Sequence, residues 1–236
     1  MKKGVLLAGA LLGTMILLAL ALGRLNHLME TAMEPAAVRQ TRPLVLDAGH
    51  GGEDGGAVSL TGTPESQINL AIVLKLRDVL GLYGVDPILL REEDISLHDS
   101  SAETLREKKR SDLKNRVAAV EGVEGGTLLS IHQNTYPSGK YHGAHVFYAP
   151  TEHSRELAEH VQSSIKAALQ QDNERAVKQI PDTVYIMNHV TCPAILIECG
   201  FLTNPEEEAL LRDDSYQRQL AAVIAAAWLT AGETAS

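Results

Sequence analysis

Leu44-Val45-Leu46-Asp47-Ala48-Gly49-His50-Gly51-Gly52 carries three apolar residues straight into an aspartate and a histidine flanked by glycine. The apolar triplet suits a buried strand. The glycines allow a sharp turn and a close approach of the backbone to a ligand. The stretch therefore predicts a strand that presents an imidazole at its carboxyl end. Two later runs repeat the pattern: Thr127 to Ile131 leads into His132, and Pro193 to Ile197 leads into Glu198. A carboxylate after four apolar residues is costly unless it is paired or has a task.

Working outward, strand and helix signals alternate along the rest of the chain. Thr63 and Pro64 suit the cap and first position of a helix running to about Leu80, with Ile68, Ile72, Leu76 and Val79 on one stripe. Val85 to Leu90 reads as a strand that Pro87 shortens or places at an edge. A long polar helix is expected from Ser100 or Ser101 to about Val120. Gly143 to Tyr148 is a further strand, and Ser154 to Gln171 a further helix. Asp172 to His189 is irregular, with an extended piece at Val184 to Ile186; helices at 206–211 and 216–230 close the chain. This pattern predicts an α/β fold: one domain with a mostly parallel or mixed central sheet flanked by helices, over residues 43–231. In such sheets ligands bind at the carboxyl ends of the strands. A lone strand-end histidine is usually structural. Two of them, with acids nearby, point instead to convergence on one zinc ion.

Several residues have a plainer competing reading. Glu65, alone, would be an acid favouring the helix dipole; beside His50 and His132 it becomes a ligand candidate. His142 and His145 are second-choice ligands, because neither stands at a strand's carboxyl end. The basic cluster from Arg106 to Arg110 reads as a solvated face, and Arg116 as a group that ties down a carboxylate. The five glycines of the Gly51–Gly62 loop suggest a phosphate cradle, but no Gly-Lys-Ser/Thr follows and Glu53 and Asp54 would repel an anion. A net charge of −9 argues against a nucleic-acid partner. The two cysteines, Cys192 and Cys199, are expected to be free, mostly buried thiols. At the N-terminus, Lys2 and Lys3 precede an uncharged run from Gly4 to Gly23. Residues 1–23 are therefore expected to be a signal peptide or, more in keeping with the length of the run, a retained membrane anchor. Residues 24–42 then form a linker, and the body lies outside the cytoplasmic membrane.

Asp47 to Gly52, Glu65, Ser130 to Asn134 and Ile197 to Pro205 together resemble the zinc-dependent N-acetylmuramoyl-L-alanine amidases of the third amidase family. Arg91 with Asp94 matches that family's arginine-containing loop, and Arg116 the arginine upstream of the Ser-Ile-His strand. The resemblance spans about residues 43 to 230. The short chain and single hydrophobic segment are most similar to the spore-cortex (CwlD-type) subgroup. The resemblance implies zinc bound by His50, Glu65 and His132, Glu198 as general base, and Asn134 or Arg116 orienting substrate or the groups behind the ligands. It further implies peptidoglycan as substrate, a lipoprotein activator as a partner, and one helix between His145 and Ile180 in place of the blocking helix of some relatives. Leu90, Glu121 and Cys199 depart from the family's commoner residues without removing a ligand. Two other readings use the same residues: an exported zinc peptidase acting on another amide, and a non-catalytic wall-binding protein.

Overall fold

The computed structural model describes residues 42–231. The apolar runs form six strands: β1 (Leu44–Ala48), β2 (Ile88–Leu89), β3 (Thr127–Asn134), β4 (His145–Tyr148), β5 (Lys178–Gln179) and β6 (Ala194–Phe201). They pair in one mixed sheet of order β2-β1-β3-β6-β4-β5, in which only the β4–β6 pairing is antiparallel. All five residues of β1 are buried, because helices cover both faces of the sheet beneath it.

Five α-helices do the covering: α1 (Glu65–Leu82), α2 (Leu105–Glu121), α3 (Ser154–Leu169), α4 (Pro205–Arg212) and α5 (Asp214–Ala231). Side-chain alternation sends Leu44, Leu46 and Ala48 of β1 to one face, where Ile68, Ile72, Leu76 and Leu80 of α1 meet them together with apolar residues of α3, α4 and α5. Each of those four α1 side chains, fully withdrawn from water, contributes roughly 1.5–3 kcal/mol. Val45, Leu128 and Leu196 point to the other face, against Val120 of α2 and a 3-10 turn at Ile186–Asn188. Between His145 and Ile180 the one α-helix is α3, as the sequence leads one to expect.

The strand order positions the site. From β1 the chain goes to β2 on one side and returns to β3 on the other, so the order reverses between β1 and β3. A crevice opens at the carboxyl end of such a switch point. His50 and His132 lie at that end.

The structure corrects several element boundaries. Pro64, not Thr63, is the N-cap of α1, and it makes no side-chain capping bond. Helix α2 starts later than expected, where Thr104 and Glu107 form a reciprocal capping box. The extended piece expected at 184–186 is replaced by the 3-10 turn, which Asn188 Nδ2 fixes by donating to the Pro181 and Val184 carbonyls. Strand β5 is two exposed residues without an apolar pattern. The N-terminal segment 1–23 and most of the 24–42 linker lie outside the described residues. Among the described residues, no helix is long and apolar enough to cross a membrane.

Candidate metal centre

The turn after β1 delivers His50 in the left-handed conformation, φ 63°, a region that costs a non-glycine residue roughly 1–2 kcal/mol. Two buried arginines and an asparagine hold the carbonyls around it. Arg91 Nε donates to Ala48 O (2.8 Å) and its NH2 group to Gly49 O (3.1 Å). Arg116 donates to Ala48 O (3.0 Å) and His50 O (2.7 Å), and Asn69 Nδ2 to Gly49 O (3.1 Å). His50 Nδ1 lies 3.1 Å from Asp54 Oδ2, an acceptor that fixes the ring and leaves Nε2 facing Glu65.

Glu65 opens α1 and is buried at the crevice. Its Oε2 accepts from Ala57 N (3.0 Å) and lies 3.4 Å from His50 Nε2. Its Oε1 accepts from Gln133 N (3.0 Å) and stands 3.0 Å from His132 Nδ1. Burial raises the Glu65 carboxyl, but the His132 hydrogen bond and the charges of both histidines bring it down to about 2. Burial would lower His132, and the acids around it, Glu65 first, hold it above its ordinary value.

One donor atom from each of His50, Glu65 and His132 falls within 4.8 Å of the others. Two nitrogens and one carboxylate oxygen suit a divalent zinc ion with an open position. The backbone is shaped around this set. A Cβ on Gly49 would lie 2.1 Å from His132 Nε2, and one on Gly56 would lie 2.6 Å from Glu65 Oε2 and 2.7 Å from His50 Cδ2. The residues present fit the ion.

Glu198 pairs with His132 across β3 and β6, which places both side chains on the same face. Burial pushes its carboxyl up to about 7. Its Oε2 is buried and accepts no hydrogen bond among the described residues. An acid with this pKa and an unfilled acceptor is suited to taking a proton near neutral pH. Asn134 stands two residues beyond His132 on the same face, half-buried, its carbonyl accepting from Leu202 N. His145 is committed elsewhere, with Nε2 3.0 Å from Ala176 O, and neither it nor His142 joins the ligand group.

Of the two roles expected of Arg116, its contacts are those of a group that orients residues behind the ligands. It is 2% exposed and its guanidinium is spent on Asp47, Asp112 and the Ala48 and His50 carbonyls, so it faces protein on every side. It does tie down carboxylates. Asp47, beneath the turn, also accepts from Ser130 Oγ at 2.6 Å. Burial raises the Asp47 carboxyl, while Arg116 and Ser130 hold it below its ordinary value. The basic cluster is more than a solvated face, because Lys108 pairs with Glu53 (2.7 Å) and Lys109 with Asp54 (3.1 Å), tying α2 to the glycine-rich loop. Sequence reasoning gave Asp47 and Asp54 no part in the site; the polar residue interrupting the β1 run was the available clue for the first. Cys192 and Cys199 are free, half-buried and buried respectively.

The sequence profile of the N-acetylmuramoyl-L-alanine amidase family Amidase_3 matches residues 44–229. The chain is 36% identical over 182 residues to the germination-specific N-acetylmuramoyl-L-alanine amidase of Bacillus subtilis, covering 77% of this chain and 76% of that protein. It is similar to the CwlD amidase of Clostridioides difficile, solved in complex with the GerS lipoprotein: TM-score 0.79, 38% identity, 82% of this chain and 100% of that one. A second N-acetylmuramoyl-L-alanine amidase, from Clostridium difficile 630, gives a TM-score of 0.72 at 29% identity, covering 83% of this chain and 99% of that one. The strand-end histidines, the acid opening α1 and the acid on β6 thus stand in a chain that belongs to the N-acetylmuramoyl-L-alanine amidase family.

Proposed function

We propose that His50, Glu65 and His132 hold a catalytic zinc ion and that Glu198 is the general base for cleavage of the amide between N-acetylmuramic acid and L-Ala of the peptidoglycan stem peptide. The observation that carries this reading is the three-residue donor set with Glu198 facing His132 across the β3–β6 pairing. Zinc bound there supplies a Lewis acid and lowers the pKa of a coordinated water towards ~7. The chain's own residues do the rest. Asp54 orients the His50 ring through Nδ1, and the Gln133 and Ala57 amides keep both Glu65 oxygens in place. Glu198 Oε2 accepts the proton of the attacking water and returns it to the departing L-Ala nitrogen. Asn134 lies where it can orient substrate beyond His132.

The same reading extends to biology. Similarity to a germination-specific amidase and to an amidase solved in complex with a lipoprotein supports a role in spore-cortex remodelling and a lipoprotein partner. On this reading residues 43–231 are the catalytic domain, working outside the cytoplasmic membrane, with residues 1–23 as signal or anchor and 24–42 as linker. The test is mass spectrometry of muropeptides after digestion of purified peptidoglycan by wild type and Glu198→Gln. The variant is expected to keep its zinc and to lose at least about 10²-fold in rate. Full activity in Glu198→Gln would overturn the base assignment, and release of a different amide would favour a peptidase.

A further inference from the structure

The face that carries His132 and Glu198 continues into an aromatic and cationic rim. Strand β6 has one extra residue relative to β3, since His132 pairs with Glu198 but Asn134 pairs with Phe201. Asn134 shares a face with His132, being two residues on, and paired neighbours share a face. The bulge therefore re-aims Phe201 onto the side of the sheet that carries Glu198. Tyr141 packs against Phe201 with centroids 6.3 Å apart, and Tyr136 meets Tyr141 edge-on at 4.5 Å. Both tyrosines remain open to solvent, at 49% and 37% exposure. The Arg175 guanidinium lies over the Phe201 ring, 4.7 Å from its centroid, and Lys140 Nζ lies 5.4 Å from that of Tyr141.

This rim is held in shape. Tyr136 N donates to Thr203 Oγ1 (3.1 Å), while Gly143 N and Phe201 N each donate to a different oxygen of Glu207 (2.8 Å both). Glu207 is thus committed to backbone amides; burial raises its carboxyl, and the Arg175 charge is near enough to draw it down but makes no ion-pair contact with it. Arg175 Nε donates to the His142 carbonyl (3.0 Å), and its two outer nitrogens make no hydrogen bond or ion pair among the described residues. A chain of net charge −9 here leaves a braced, half-exposed guanidinium unpaired beside two open aromatic faces. Such a fork matches a carboxylate in two-point contact.

We infer that Arg175, seated on Phe201 from which Tyr141 and then Tyr136 extend, is the subsite that takes a free carboxylate of the stem peptide, with the tyrosine rings packing against the peptide's apolar surface. The inference rests on the amidase reading above. Charge decides between the two parts of that substrate. The glycan is neutral once its lactyl carboxyl is tied up in the scissile amide, whereas the peptide carries free carboxylates, so an unpaired guanidinium selects the peptide.

The experiment measures binding of the dipeptides L-Ala-D-Glu and L-Ala-D-isoGln, each capped as its γ-methylamide so that only the first carries a free carboxylate, to the zinc-loaded full chain by calorimetry, alongside kcat/KM on the corresponding N-acetylmuramoyl peptides. Wild type is expected to bind the acidic dipeptide roughly 10- to 100-fold more tightly than its amide, the range of one charge-assisted contact. Arg175→Gln should abolish the preference while leaving affinity for the amide within about twofold, and Arg175→Lys should restore part of it. Tyr136→Ala should weaken both dipeptides alike. Equal binding in wild type, no measurable binding, or a preference that survives Arg175→Gln would each overturn the subsite. Preference without hydrolysis of either muramyl peptide would instead overturn the amidase reading and leave the carboxylate subsite standing.

Discussion

Replacing Arg116 by methionine separates support of the fold from contact with substrate. The thioether fills much of the arginine stem's volume, so the change removes charge and hydrogen bonds more than packing. It strands Asp47, which is 1% exposed and retains only the Ser130 hydroxyl from its present side-chain partners. Leaving one member of a buried pair uncompensated costs about 3–5 kcal/mol, a large share of the ~5–15 kcal/mol that holds a domain folded. With a urea slope near 3 kcal/mol per molar, the unfolding midpoint should fall by about 1–2 M. The pH dependence follows from the sign of the shift. In the wild type the Asp47 carboxyl is held below its ordinary value, so its contribution is present above the unfolded value of ~3.9 and is lost as pH falls through the folded value. Without Arg116, burial raises that carboxyl, so the penalty grows as pH rises through it. The gap between variant and wild type should therefore be widest near neutrality and should narrow as pH falls towards 4 and below. Adding Asp47→Asn to Arg116→Met should recover part of the loss at pH 7. A midpoint shift under ~0.3 M, or a gap that widens towards acid, would refute the buried-pair account.

Other perturbations act closer to the proposed zinc site. Gly49→Ala places a methyl 2.1 Å from His132 Nε2, and is expected to lower zinc affinity at least about 100-fold; full zinc retention after dialysis against a weak chelator would contradict it. Asp54→Ala removes the acceptor at His50 Nδ1 and should weaken zinc by about 10- to 100-fold in a competition titration, an unchanged constant counting against the role given to Asp54. Burial pushes the Cys199 thiol up to about 12 and also raises Cys192. A thiol reagent at pH 8 should therefore leave Cys199 untouched until urea unfolds the chain, and rapid native modification of both cysteines would be inconsistent with this burial.

The candidate site residues were legible because each stands at the edge of a pattern that sequence displays. His132 and Glu198 close apolar runs, His50 follows one through a glycine turn, and Glu65 stands directly after a proline at a helix start. What escaped was non-local. Asp47 stands out as a polar residue in β1, but its partner Arg116 is 69 residues away. Asp54 reaches His50 only because Gly51 and Asp54 bridge across a tight turn, so its part in the site cannot be read from composition. The register shift opposite Asn134 leaves a single local mark, Gly200 within β6, and a lone glycine near a strand end does not by itself distinguish a bulge from a turn. The start of α2 is different: Thr104 and Glu107 spell out a capping box, and the serines at 100 and 101 drew the boundary too early.

The left-handed backbone at His50 sets local comfort against usefulness. Glycine would occupy φ 63° without strain, so the position carries a side chain that its own conformation disfavours. The Arg91 and Arg116 grip on the surrounding carbonyls holds that conformation in place. His50→Gly would relax the turn and remove one of the three proposed zinc ligands together. At this position a search for greater thermal tolerance leads away from activity.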